Sequence, residues 1–387
     1  MIKKKYFIYS DNPDKSIKLN FLDNLFKKNT NWESYNIDSN EDIDFSYIIG
    51  RYENAPPTDI SYRFTTKHRN FLTNKYILYK TIEREDNDLY ENYMVKHYEI
   101  DMDNLENNKK LFHNGKILII RPTWAFERSG ITIVDNFNAF KKYMDKKGRH
   151  MYNNIVSRRP RETHKFVASE YIKNTLTYQN KVCDFRVFFL ITFVNGIYRA
   201  YLVKPIMMNL AQYERKDFNI THIKENITYA HEVADHFMRD LKNQVGKKNY
   251  KSMKNQILHI LSHLFRMIKN YQIMDKYIDQ NSVYELFGLD FIADDKYNIK
   301  LIEFNEKTGL GGYSDEIYKN IANAFVNATI NKTYDDNFKI KLINSSTENF
   351  FHTSNNNAAG QNFSDFCFQQ NNPLSLSLDE IVGHKII

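Results

Sequence analysis

ELFGLDFIADDKYNIKLIEFNE, residues 285–306, is the stretch whose reading decides the fold. Apolar and polar residues alternate over 286–293 and again over 298–305, the signature of two half-buried strands. The polar run 294–297 between them suits a hairpin turn. Folding the stretch about the centre of that turn sets Asp290 opposite Glu303 and Ile292 opposite Leu301. Asn305 lies two residues beyond Glu303 and shares its face. Two carboxylates directly opposed on a hairpin repel. A divalent cation between them, with the Asn305 carbonyl as a third hard oxygen, turns the repulsion into a Mg²⁺ site. Ile292 and Leu301 beside it would back a nucleotide base. Leu289, Phe291, Ala293, Ile302 and Phe304 form the apolar face and are expected in a core. The same spacing also fits a hairpin whose polar face is simply wet, because exposed sheet faces commonly carry Asp and Glu.

The bulk of the chain bounds the answer. With 387 residues, 42% hydrophobic and 26% charged, it has the composition of a soluble globular protein with room for two or three domains. No apolar run approaches the roughly 20 residues needed to span a bilayer, and the apolar run in MIKKKYFIYSD is too short for a secretory signal. Only Cys183 and Cys367 occur, which argues against a disulfide framework or zinc cluster and for a reducing, cytoplasmic compartment. The net charge of +7 implies weak attraction to something acidic. Arg158, Arg159 and Arg161 concentrate that charge, either to grip phosphates or an acidic peptide or as a solvated loop. Neither a nucleic-acid nor a membrane partner is expected, and the chain is expected to be a monomer.

Four regions follow from the pattern. Residues 1–75 form a small α/β domain, with strands over 6–10 and 45–50 and a helix over 18–28. Residues 70–85 have apolar side chains at helical spacing. A central unit, 76–165, holds paired strands over 116–121 and 131–134 and a helix over 137–147, with Asp135 or Asn136 as N-cap. A third unit, 166–343, holds strands over 166–172, 184–194 and 198–206. Asn195-Gly196 is a hairpin turn inside it. A long helix over 252–277 has Ile257, Leu261, Leu264, Ile268 and Tyr271 on one stripe, and a last helix spans about 314–327. From residue 344 the Asn/Ser/Gln-rich texture predicts a disordered tail.

Several side chains invite a functional reading. His259 and His263, four apart on the long helix, have metal-binding spacing, but no carboxylate lies near them in sequence and a structural role is the simpler reading. The histidines of HEVADH, 231–236, are five apart and fall on different helix faces. Asp184 and Arg186 share one strand face, as an end-of-strand salt bridge or as a site at the sheet edge. The loop PTWAFERSG, 122–130, has a single glycine and is a weak phosphate cradle, though Arg121 and Arg128 supply positive charge.

In order along the chain, these segments resemble the tubulin-tyrosine-ligase-like family of ATP-grasp ligases, over about residues 65–330. ELFGLDFIADDKYNIKLIEFNE looks like the closing block of the family and keeps its three metal positions, Asp290, Glu303 and Asn305. FVASEYI, 166–172, looks like the hinge strand that holds adenine through its backbone near Glu170, Tyr171 and Ile172. CDFRVFFLI, 183–191, looks like the Asp-x-Arg strand, which implies Asp184 and Arg186 at the substrate and phosphate. GIYRAYL, 196–202, is similar to the next strand and implies Arg199 at the γ-phosphate. NITHIKENI, 219–227, resembles the His-x-x-Asn block, with His222 and, after a one-residue offset, Asn226. LTNKYILYKTI, 72–82, resembles the helix that carries an early nucleotide lysine, here Lys75.

The resemblance implies an α/β (α+β) ATP-grasp fold, with nucleotide between two antiparallel-sheet subdomains and a small N-terminal α/β domain. It implies ATP and Mg²⁺, a free amino acid, and an acidic protein or peptide acceptor such as the tail of tubulin. The γ-phosphoryl group of ATP passes to a carboxylate, and an amine then attacks the acylphosphate. Arg186, Arg199 and Glu303 are the implied catalytic residues, with Lys75, Arg121, Ile292 and Leu301 at the nucleotide. Three departures stand out. Arg121 occupies a position where the family has a phosphate lysine, and a planar fork is not a point charge. The glycine-rich loop is degraded, and Val182 stands where a lysine is expected two before Asp184. They suggest the rival reading, a pseudoenzyme that binds nucleotide or an acidic tail without ligating.

Overall fold

A computed structural model of the chain describes residues 4–10, 23, 24, 26–28, 32–34, 45–49, 72, 74–123, 130–148, 150, 151, 153, 166–194, 197–229, 236–270, 282–305, 320 and 340–346. At the N-terminus, β1 (Lys4–Ser10) lies between β2 (Trp32–Ser34) and β3 (Phe45–Ile49) in a parallel sheet. Tyr6 of β1 stacks on Phe26, ring centroids 4.5 Å apart, and its hydroxyl donates to Asp23 at 2.8 Å.

Two helices follow. α1 (Lys75–Glu85) is started by Asn74, whose side-chain oxygen accepts the N–H groups of Tyr76 and Ile77 at 3.0 and 3.1 Å. α2 (Asn87–Tyr93) is started by Asp86, which accepts from the Leu89 N–H at 2.9 Å. A four-stranded antiparallel sheet comes next, in the order β4-β7-β5-β6, built from β4 (His97–Glu99), β5 (Leu118–Pro122), β6 (Thr132–Val134) and β7 (Phe166–Glu170). One face of this sheet, Leu118, Ile120, Phe166 and Ala168, packs on Phe140 of α3 (Phe137–Tyr143). Asn136 caps α3 by accepting the Ala139 N–H at 2.8 Å, and the helix continues into a wider turn over Met144–Gly148.

The larger sheet is antiparallel and has seven strands. Its path runs β11-β10-β9-β12-β13, from β9 (Lys181–Val194), β10 (Ile197–Ala211), β11 (Thr228–Tyr229), β12 (Ser282–Ala293) and β13 (Ile299–Asn305). β8 (Thr177–Tyr178) pairs with β9, and β14 (Ile340–Ser346) with β10. The long helix α4 (Lys242–Asn270) lays Met253, Ile257, Ile260, Leu261, Leu264 and Ile268 into one core with Phe185, Val187, Phe189, Leu289, Phe291 and Phe304. A helical stripe therefore meets every second residue of β9 and β12. The polar members of those strands, Asp184, Arg186 and Asp290, are left for the opposite face. Val95, just before β4, donates its N–H to Leu301 O at 3.2 Å and ties the edge strand β13 to the entry of the smaller sheet.

The structure departs from the sequence reading at identifiable points. The hairpin register holds at Asp290 opposite Glu303, but a bulge follows. Leu301 faces Phe291, and Ile292 faces Lys300. Ile302 is the extra residue of the bulge, so the alternation slips by one. Leu301 joins the core, and Ile302, expected there, is only half-buried. The strand over 166–170 hydrogen-bonds into the four-stranded sheet rather than opening the third unit. Residues 344–346, expected in the tail, belong to β14, because ladder bonds are made by backbone and need no apolar side chain. α4 starts ten residues earlier than the helix expected from 252, and Gly246 breaks it at φ 81°. Residues 18–22, the loop 124–129, Arg158–Arg161, the turn at 195–196, residues 231–235 and 271–281, the helix at 314–327 apart from Asn320, and 347–387 lie outside the described residues.

Candidate functional site

The pairing of three neighbouring strands builds the site. Arg186 on β9 pairs with Asp290 on β12, which pairs with Glu303 on β13. The three side chains therefore form a row on the face turned away from α4. Arg186 grips Asp290 with a two-pronged fork, Nε to Oδ1 and Nη2 to Oδ2, the latter at 2.9 Å. Glu303 is met from the other side, Oε2 lying 3.1 Å from Lys75 Nζ at the start of α1 and 3.8 Å from Arg121 Nη1 on β5. Asn305 Nδ2 donates to both carboxylates, 3.2 Å to Asp290 Oδ2 and 2.9 Å to Glu303 Oε1.

Charge is balanced unevenly here. Burial pushes the Asp290 carboxyl well above the usual carboxylate range, Glu303 adds to the push, and the Arg186 fork works against it. Burial would raise Glu303 too, but Lys75 and Arg121 outweigh it and hold Glu303 below its ordinary value. The two carboxylates are the oxygen donors a hard cation needs. The Asn305 N–H₂ stands between them and donates to both. Turned end for end, the amide would present its Oδ1 to the same point. Among the described residues no three His, Cys, Asp or Glu side chains gather as a metal cage. Two carboxylates and an amide suit Mg²⁺, which keeps several waters and is bound through one or two carboxylates plus phosphate oxygens.

Arg121 is the pivot between the sheets. It is 7% exposed. Its Nη2 donates to Ser169 Oγ at 2.9 Å and to His97 Nε2 at 3.2 Å. His97 Nδ1 lies against Val95 O, a carbonyl, so that nitrogen carries the proton and Nε2 accepts from Arg121. Burial, helped by the Arg121 charge, drives the His97 imidazole down to about 3 and keeps it neutral. Arg121 Nε is buried with no hydrogen-bond partner among the described residues. Such a donor carries a desolvation cost that an arriving anion oxygen would relieve.

The other predicted residues divide. Asp184 sits one pleat along from Arg186 and is fixed by Asn209 Nδ2 at 2.7 Å and by the Thr228 hydroxyl. Ile292 lies between Asp184 and Lys300. Tyr171 stacks on Phe218 and donates its hydroxyl to Asn226 O at 3.2 Å, and Asn226 Nδ2 donates to Asn219 O at 2.6 Å. The Glu170 and Tyr171 N–H groups are engaged by Lys96 O and Ile117 O, at 2.9 and 2.8 Å, and Ile172 O accepts from Thr175. The Glu170 carboxylate is held by Lys116 at 2.7 Å and by Tyr98. His222 is half-exposed and paired with Glu225 at 3.0 Å.

Arg199 does not join the cluster. It pairs with Thr192, six residues along β9 from Arg186, which is roughly 20 Å at strand rise. Leu301 lies in the core. His263 is taken up by Asp86, a carboxylate distant in sequence, and packs at a tilt against His259 at 4.2 Å between centroids. The sequence reading missed His97, Ser169, Asn209 and Thr228. His97 sits in a three-residue strand too short to show alternation, and the others act across strands far apart in the chain.

The sequence model of the tubulin-tyrosine ligase family matches residues 62–341, well over half of the chain and every residue of this cluster. No curated protein matches the chain.

Proposed function

The chain belongs to the tubulin-tyrosine ligase family, and on that premise we propose that it is an ATP-dependent carboxylate–amine ligase that adds a free amino acid to a protein or peptide carboxylate through an acylphosphate. The observation that carries the reading is the convergence of Asp290, Glu303 and Asn305 with Lys75, Arg121 and Arg186 at the junction of two antiparallel sheets. It is an anion-handling site with a place for one hard cation.

Mg²⁺, when bound, would neutralise phosphate oxygens as charge shifts during transfer. Asp290, Glu303 and Asn305 would hold it. A cation on Asp290 and Glu303 competes with the basic side chains now paired to them. Lys75, Arg121 and Arg186 would then turn their N–H groups to phosphate and acceptor oxygens, with Arg121 Nε the first open donor. Preorganised donors in a dry site stabilise developing charge most effectively. An acceptor carboxylate oxygen attacks the γ-phosphorus and ADP leaves. The amine then attacks the acyl carbon, loses a proton and expels phosphate. Asp184, steadied by Asn209 and Thr228, is suited to receive an incoming ammonium group. Glu170, Tyr171 and Ile172 would meet the base through backbone atoms, with Ile292 beside it and His222 and Asn226 toward the substrate. The acceptor is an acidic protein tail, as of tubulin, met in the cytoplasm.

The test is mass spectrometry of tubulin and whole lysate after incubation with the protein, ATP, Mg²⁺ and mixed amino acids. The proposal expects acceptors heavier by an amino-acid residue, and no gain when ATP is omitted. One observation favours a second reading, nucleotide binding without ligation: the Arg186 fork engages both oxygens of Asp290. ATP binding with no ADP release in any acceptor mixture would decide for it.

A further inference from the structure

α4 carries six lysines and Arg266 in 29 residues, and no Asp or Glu. Those seven cations equal the formal excess of the whole chain, +7. Its apolar stripe is spent on the core, so the charge is concentrated on the outward side. Lys242, Lys247, Lys248 and Lys251 are exposed, and none has a carboxylate partner among the described residues. The outer side is also concave. Tyr93 of α2 and Lys248, Lys251, Asn255, Gln256 and His259 of α4 line a shallow groove. Gln256 is fixed at its floor, accepting the Ile299 N–H at 2.9 Å and donating to Tyr297 O at 3.0 Å, so helix and hairpin hold the groove's shape together. Two carboxylates act on His259 electrostatically: Asp86, which is paired with His263, and Asp88, which accepts from Asn92 at 2.7 Å.

We propose that this lysine groove on α4 is a docking surface for an acidic polypeptide segment, an exosite for the acceptor separate from the catalytic cluster. The lining offers ammonium, imidazole and amide donors and no carboxylate, which is the chemistry that recognises a run of Glu or Asp. α4 covers the sheet face opposite Arg186 and Asp290. The groove floor is bonded to Ile299, four residues along β13 from Glu303, which sets it roughly 13 Å from the reacting atoms. A segment docked there cannot be the reacting carboxylate itself. It holds a larger acceptor by long-range, salt-screened attraction. The identity of the occupant rests on the ligase reading above, whereas the binding itself does not need ATP.

The test uses the full chain and fluorescein-labelled deca-glutamate, followed by anisotropy without ATP at rising salt. Expected is salt-sensitive binding, about tenfold weaker and with flattened salt dependence in Lys248→Glu/Lys251→Glu. The paired Lys248→Gln/Lys251→Gln variant, which neutralises without reversing charge, should fall between. In turnover assays both variants should raise KM for a protein acceptor and leave kcat and ATP binding unchanged. Unaltered deca-glutamate affinity in both variants overturns the proposal, as does a single-stranded RNA of equal length that binds more tightly through the same lysines. Loss of all ligation with salt-sensitive deca-glutamate binding intact would sink the ligase reading and leave the groove standing.

Discussion

His97→Gln should remove a specific part of the acid sensitivity of the fold. The wild-type imidazole is fully buried and held neutral, its value near 3 set by burial and by Arg121. In the unfolded chain the same group titrates near 6.5. Between these values the unfolded state binds the extra proton, so stability is intact above about 6.5 and is lost as pH falls toward about 3. From pH 7.5 to pH 5 the loss amounts to about 2 kcal/mol, at about 1.4 kcal/mol per pH unit below 6.5. Glutamine has no such titration, and its Oε1 can take the Arg121 N–H that Nε2 accepts at 3.2 Å. It forgoes the bond to Val95 O, so it should be less stable than wild type at pH 7.5, by about 1 kcal/mol. By pH 5 the gap should close or reverse. Urea unfolding followed by far-UV circular dichroism at both pH values measures it. A gap that stays constant with pH would refute the neutral-histidine assignment and with it the account of how Arg121 is oriented.

Two further substitutions probe the cluster and the hairpin. Arg186→Met leaves Asp290 buried without its fork. Both side chains are about one-eighth exposed (13% and 12%), and where Asp290 is ionised the cost should be about 3–5 kcal/mol. The deficit should widen as pH rises past neutrality and shrink on acidification, because the Asp290 pKa is already raised and a protonated carboxyl leaves no unpaired charge. Destabilisation below about 1 kcal/mol would show that the fork contributes little. Leu301→Ala should cost about 2–5 kcal/mol and Ile302→Ala clearly less, since the bulge sends Leu301 and not Ile302 into the core. The reverse order would restore the unbulged register.

Local pattern made much of this chain legible. The alternation in 285–306 revealed the hairpin and the opposition of Asp290 to Glu303, and the apolar stripe from Ile257 to Ile268 revealed the long helix. Counting outward from a turn assumes equal steps on both strands, and the bulge at Ile302 breaks that assumption without a trace in composition. The strand over 166–170 read as a strand, but its partners are set by hydrogen bonds to residues about 50 and 70 positions away, so pattern alone did not show which sheet it joins. The environment of Arg121 was hidden for the same reason. His97 and Ser169 reach it across strands, 24 and 48 residues distant. Asn305, Glu303 and Asp290 were legible because one hairpin carries all three. Lys75 entered only through resemblance to known sequences, whereas Arg186 was legible from its strand face, though as a partner of Asp184 and not of Asp290.

The most direct test of the central claim is parallel measurement of ADP release and acceptor mass in Glu303→Gln and wild type. Glu303 is the carboxylate shared by Lys75, Arg121 and Asn305. The account predicts that wild type releases ADP in step with amino-acid addition to an acidic acceptor, only with Mg²⁺, and that Glu303→Gln keeps its fold and does neither. Acceptor-dependent turnover that survives in Glu303→Gln would contradict it.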